Sequence, residues 1–194
     1  MALFSFRRLD IDPLAVSMSG VKLGERLLQV GVDDAAIAGL LASKTGLSGS
    51  ASHAVSTDAE AVKVNRGAKK AGVLVEVRVT PLDQLPYEAA SFDVVVVHSA
   101  GGQLASADAS ARLAVLRELL RVVRPGGRLV AIEPGTPSGL SSVFRGPPAS
   151  QGAYEGAGGT MSALRQAGFG AVVIVRPLEV IVEFVRYSAG RSQS

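Results

Sequence analysis

The residues best placed to do chemistry are His98 and Ser99, which follow directly on the apolar run Phe92–Val97. In an open parallel sheet, ligands bind outside the carboxyl ends of the strands, so both side chains stand where a reacting group would be met. His98 is a candidate general base, because a free imidazole titrates near neutrality; it is equally a loop histidine that touches ligand or solvent without reacting. His53 lies on the shorter run Ser52–Ser56 and reads as structural. Gly31 closes a third run, Arg26–Gly31, and two carboxylates follow it, Asp33 and Asp34. Their blandest role is to cap a helix.

Other chemistries lack their residues. The chain has no cysteine, which excludes disulfides, thiolate nucleophiles and thiolate metal sites, and its two histidines are few for a transition-metal site. There is no phosphate loop ending in Gly-Lys-Ser/Thr, no His-Glu-x-x-His pair and no Gly-x-Ser-x-Gly elbow. Gly156, Gly158 and Gly159 have no strand before them and form no nucleotide fingerprint. Net charge is +3, but the basic residues are dispersed and Trp is absent, so a nucleic-acid surface is not indicated.

The elements that must position these residues alternate short β-branched runs with longer helical segments, the pattern of a parallel sheet built from strand-helix-strand units. A chain of 194 residues fits one domain, which at this size buries roughly 70% of the surface its unfolded form exposes. Strands are expected at Arg26–Gly31, Ser52–Ser56 (weak), Leu74–Val79, Phe92–Val97 and Arg128–Glu133, with the third and fourth in the interior. Helices are expected at Asp33–Ser43, at Asp58–Ala71 ending on Gly72, at Ala109–Val123 and at Met161–Ala167. The third carries a stripe of Leu113, Leu116, Leu119, Leu120 and Val123 opposite Arg112, Arg117, Glu118 and Arg121.

Residues 135–159 are rich in Gly, Ser and Pro and read as a loop or lid. Ala171–Val175 and Val180–Tyr187 read as a terminal strand pair, and 188–194 as a frayed tail. Residues 1–20 form an N-terminal cap segment. Charges at Arg7, Arg8, Asp10 and Asp12 interrupt any secretory signal, and no apolar run approaches a membrane span, so a cytoplasmic protein is expected.

Two segments carry a family resemblance. Leu116–Pro134, LRELLRVVRPGGRLVAIEP, resembles the helix, Pro-Gly-Gly turn and fifth strand of class I S-adenosylmethionine-dependent methyltransferases, particularly the small-molecule branch of ubiquinone and menaquinone biosynthesis. Leu85–Val96, LPYEAASFDVVV, is similar to that family's Leu-Pro-Phe, acidic turn, Ser-Phe-Asp and fourth strand. The resemblance runs from about Val21 to Tyr187. It implies a single Rossmann-like α/β domain with a mostly parallel seven-stranded sheet, helices on both faces and an antiparallel C-terminal strand pair. The implied activity is methyl transfer from S-adenosylmethionine to a small molecule, without nucleic acid; a homo-oligomer is compatible with it.

By the same resemblance, the cofactor site comprises Gly31, Val32, Asp33, Ser56, Thr57, Asp58, Leu82, His98 and Ser99. The chain departs from the family in several of these places. In LLQVGVDDAA, Gln29 stands at the family's acidic position, and Asp33 and Ala35 replace the second and third loop glycines. Asp33 and Asp34 bring carboxylates to a helix start that ordinarily favours an anion. Two like charges about 4 Å apart repel by about 4 kcal/mol at an effective dielectric near 20, unless the carboxylate holds the cofactor's ammonium instead. The ribose-binding acid at the end of the second strand aligns with Ser56, with Asp58 the alternative if the loop shifts and otherwise the N-cap of the next helix. The adenine-contacting acid aligns with Pro81, leaving Leu82 to pack on the base and Asp83 to substitute. The segments Ile11–Gly20 and Thr136–Gly159 are expected to close over the substrate. These departures keep open a methyltransferase-like binding or partner protein without turnover, and behind it a nicotinamide-dependent oxidoreductase.

Overall fold

A computed structural model of the protein describes residues 14–99, 103–133, 154, 156–169, 173–176 and 179–181. In chain order the elements are α1 (Leu14–Met18), β1 (Arg26–Val30), α2 (Ala35–Lys44), β2 (Ser50–Val55), α3 (Asp58–Ala71), β3 (Glu76–Val79) and β4 (Phe92–His98). They continue with α4 (Gln103–Ser106), α5 (Ala109–Val122), β5 (Val123–Ile132), α6 (Gly159–Ala167), β6 (Val173–Arg176) and β7 (Glu179–Ile181). The strands form one sheet in the order β3-β2-β1-β4-β5-β6-β7. All neighbours from β3 to β6 are parallel, and the short β7 runs antiparallel to β6. The winding direction reverses between β1 and β4, which opens a crevice at their carboxyl ends. No described helix is long and apolar enough to cross a membrane.

The near-continuous apolar strands are explained by cover on both faces. Successive side chains point to opposite sides, so Leu28, Val30, Val95 and Val97 pack with Leu116, Leu119 and Val122 of α5 and Leu164 of α6. Leu27, Val94 and Val96 pack on the other side with Ala15 and Val16 of α1 and Leu41 of α2. The buried residues of β1 and β4 are therefore apolar on both faces apart from Gln29 and His98, as buried parallel strands require.

The crossover helices are set by local chemistry. Asp34 is the N-cap of α2, its carboxylate accepting the Ala36 N–H at 2.7 Å. At α3, Thr57 and Glu60 form a reciprocal capping box. The two helices touch backbone to backbone: a Cβ on Gly67 would lie 1.9 Å from the Ala35 carbonyl oxygen, so no larger residue fits without moving one helix. The segments behind the family resemblance brace each other in the same way. Glu118 of α5 accepts the Leu85 N–H at 2.8 Å, and Arg121 donates to the carbonyls of Tyr87 at 2.9 Å and Leu85 at 3.1 Å. Asp93 accepts the Arg26 N–H at 2.7 Å and the Arg124 guanidinium, tying the amino ends of β1, β4 and β5 together. These motif residues serve the fold.

Several expectations are corrected. The third strand is shorter than Leu74–Val79 and lies at the edge of the described sheet, with Glu76, Val79 and Leu74 exposed. Alternating Glu76 and Arg78 suit an edge facing water. The second strand is not weak: it spans Ser50–Val55, every residue after Ser50 is buried, and Ser56 lies beyond its end. Helix α2 begins at Ala35 because Asp34 takes the non-helical cap conformation, leaving Asp33 in the preceding loop. The fifth strand begins at Val123, with the Pro-Gly-Gly turn as an irregularity in its register against β4, and Glu133 follows its end. Residues 14–18, within the expected N-terminal cap segment, form a helix whose Ala15 and Val16 pack in the core. Residues 1–13, 134–153 and 182–194, with most of the expected lid and the tail, lie outside the described residues.

Candidate functional site

A cavity of about 220 Å³ opens at the carboxyl ends of β1, β2 and β4, against α3, α4 and α5. Its apolar wall includes Val30, Val97, Leu82 and Val115, and its polar lining is Ser56, Glu60, His98, Gln103 and Arg112. Gly31 crosses its mouth with φ +70°, and a Cβ there would stand 3.2 Å from the His98 carbonyl oxygen, so this turn requires glycine. The turn is held from both sides. Its N–H donates to the Ala54 carbonyl at 3.0 Å, and its carbonyl accepts from His53 Nε2 at 2.6 Å.

Behind the loop lies a buried polar layer. Gln29 is fully buried, with Nε2 donating to the Ala38 carbonyl at 2.9 Å and Oε1 standing 2.9 Å from His98 Nε2. The His98 ring stacks on that of His53 with centroids 5.6 Å apart. Burial lowers the His53 pKa to about 4, against smaller opposing effects of the Gly31 hydrogen bond and the Glu60 charge. Burial, then the neighbouring charges of His53 and Lys63, lowers that of His98 to about 3. Both rings are neutral at pH 7.

The loop carboxylates are engaged in the protein. Asp33 Oδ1 accepts from Gln103 Nε2 at 2.7 Å, and the Asp33 carbonyl accepts from Lys63 Nζ at 2.6 Å. Asp34 holds the first turn of α2. Of the residues expected at the cofactor, Gly31, Val32, Ser56, Leu82 and His98 line the cavity. Asp33, Thr57, Asp58 and Ser99 are not among its lining residues. Thr57 is spent on the capping box, and Asp58, the first residue of α3, is exposed. Ser99 is buried, its Oγ accepting the Leu104 N–H at 3.0 Å and its N–H bonding the Ile132 carbonyl at 2.8 Å. Asp83 is exposed and outside the lining.

Sequence reasoning places none of three polar lining residues at the site: Glu60, Gln103 and Arg112. The Thr57-x-x-Glu60 spacing is a capping-box signature and marks Glu60 as close to the end of β2. Glu60 Oε2 accepts the N–H groups of Ser56 at 2.9 Å and Thr57 at 3.1 Å, while Oε1 takes part in neither bond. Arg112 was assigned to the outward side of its helix; instead it donates to the carbonyls of Leu104 at 2.6 Å and Ala107 at 2.5 Å. Its guanidinium lies 4.1 Å from the centroid of Tyr154, whose hydroxyl donates to Thr160 at 2.8 Å. Thr160 in turn donates to the buried Glu133.

Comparison with known proteins agrees with this architecture. A SAM-dependent methyltransferase from Aquifex aeolicus superimposes with a TM-score of 0.65 at 21% identity, covering 91% of this chain and 90% of its own. An S-adenosyl-L-methionine-dependent methyltransferase from Methanococcus maripaludis, described as putative, gives 0.62 at 13% identity over 93% of this chain and 86% of its own. The [4+2]-cyclase SpnF gives 0.56 at 21% identity over 81% of this chain, which spans about half of that protein, 55%. At these identities the likeness is one of fold. No curated protein sequence matches the chain. The profile of the methyltransferase domain family matches residues 28–131, more than half of the 194, and contains the last three residues of β1, the Gly31 turn, both crossover helices, β4 and all of β5 but its last residue. The chain belongs to the methyltransferase domain family.

Proposed function

We propose that the protein transfers the methyl group of S-adenosylmethionine to a small molecule, with the adenosyl half of the cofactor in the cavity at Gly31 and His98. The observation that carries this reading is the cavity itself: an apolar slot at the reversal of strand order, crossed by a glycine turn without a Cβ. Leu82, Val97 and Val115 suit an aromatic base. Glu60 is the carboxylate that we assign to the ribose hydroxyls, in place of the acid absent at Ser56. Two backbone N–H groups steady one of its oxygens and leave the other to accept. The methionine half meets a helix start that Asp34 already caps, so its carboxylate gains no free N–H at Ala36.

When bound, the cofactor supplies a sulfonium-activated methyl group, and the chain's part is to hold donor and acceptor in line and exclude water. No strong base is needed. With its pKa near 3, His98 is a poor proton acceptor at neutral pH, and we assign it a binding role in place of the general-base role first considered. The β6–β7 pair is taken to close the seven-stranded sheet that the family resemblance implied.

A second reading, a methyltransferase-like protein without turnover, is favoured by the capped start of α2. Calorimetric titration with S-adenosylmethionine and S-adenosylhomocysteine separates the two. Saturable heat for both ligands is expected. No heat at millimolar ligand would eliminate the cofactor reading and leave the non-catalytic one.

A further inference from the structure

The polarity of the Gln29–His98 pair follows from atoms that leave no choice. The Ala38 carbonyl only accepts, so the Gln29 atom 2.9 Å away is the amide nitrogen. Its partner on the same amide, Oε1, only accepts, so His98 Nε2 carries the proton of that bond. A neutral imidazole has one ring proton, and Nδ1 is left with a lone pair. None of the described hydrogen bonds reaches His98 Nδ1. Nor is that atom sealed in: the buried side-chain polar atoms without a partner among the described residues are His53 Nδ1 and Tyr87 Oη. His98 itself is 3% exposed and lines the cavity.

We propose that Gln29 is a positioning residue that presets His98 as a neutral hydrogen-bond acceptor in the cavity wall, and that the occupant of the cavity donates an N–H or O–H to Nδ1. The pairing gives a reason for the amide at the position where the resembled family has an acid. A glutamate at 29 would accept from His98 but could not donate to the Ala38 carbonyl, and its charge would draw a second proton onto the ring. The groups that bear on the ring charge are His53, stacked on it, and Lys63; Glu60 acts on His53. Together with burial they leave the ring neutral across the physiological range. The donor-bearing occupant rests on the cofactor reading above; the ring polarity stands without it.

The experiment is long-range nitrogen-proton NMR of the histidine rings in the full ligand-free chain. At pH 7 the His98 ring is expected with its proton on Nε2, and a ring protonated on Nδ1 in the wild-type chain would overturn the proposal with no variant needed. In Gln29→Glu, the His98 titration is expected to move upward by about two pH units or more. A folded Gln29→Glu chain with an unshifted His98 would remove Gln29 from the positioning role. Adding S-adenosylhomocysteine is expected to shift Nδ1 and leave Nε2 nearly unchanged. Calorimetric binding without an Nδ1 response would refute the donor contact and spare the cofactor reading. Absence of binding would refute both of those, with the ring proton still deciding the polarity.

Discussion

Lowering the pH from 7 to 5 should destabilise this protein far more than its surface charges suggest. His53 and His98 are buried and neutral, with folded pKa values of about 4 and about 3 against 6.5 when exposed. Below pH 6.5 the unfolded chain binds protons that the folded chain refuses, so stability is full above 6.5 and falls with pH until the folded values are reached. Between pH 7 and 5 each ring contributes about 1.9 kcal/mol of loss, roughly 4 kcal/mol for the pair, from the ratio of the two binding polynomials. Against a typical total of about 5–15 kcal/mol this is a large fraction.

The carboxylates with lowered pKa values, Glu25, Asp93, Asp108 and Glu118, act in a separate window. Their stabilisation is complete above their unfolded values and is lost only as pH falls toward their lower folded ones. Urea denaturation at pH 7 and pH 5 measures the difference directly, and His98→Asn, with one titrating ring removed, should halve it. A wild-type difference under about 1 kcal/mol, or an unchanged one in a folded His98→Asn chain, would refute the assignment of two neutral buried rings.

Three further outcomes are expected. Gly67→Ala should cost about 1–3 kcal/mol or more, because its Cβ meets the Ala35 carbonyl at 1.9 Å; an unchanged urea midpoint would show that α2 and α3 part without penalty. Glu60→Gln can keep the cap through its amide oxygen but loses the charge, and should weaken S-adenosylhomocysteine binding about tenfold by calorimetry. Equal affinity in the two chains would remove Glu60 from the ribose. Asp33→Gly takes a carboxylate from the loop and should tighten the same ligand, whereas weaker binding would show that Asp33 holds the ligand's ammonium.

The sequence by itself determined the strand-helix alternation and most element positions. Runs such as Phe92–Val97 are apolar on both sides, and Gly72 and Asp34 are local signals that act within one turn of chain. It also located the turn at Gly31 and the carboxyl end of β4 at His98. What it could not determine are contacts whose partners lie far apart in the chain. Gln29 and His98 are 69 residues apart, and only their adjacency on β1 and β4 turns an apparent lost acid into the acceptor for a ring proton. The exposed position of β3 depended on strand order, to which a short β-branched run is blind. Arg112 reads as an outward helix residue because helical period says which face a side chain takes, not what the neighbouring segments present to it. Local propensity is a property of a few consecutive residues, whereas a cavity exists only where separate segments meet.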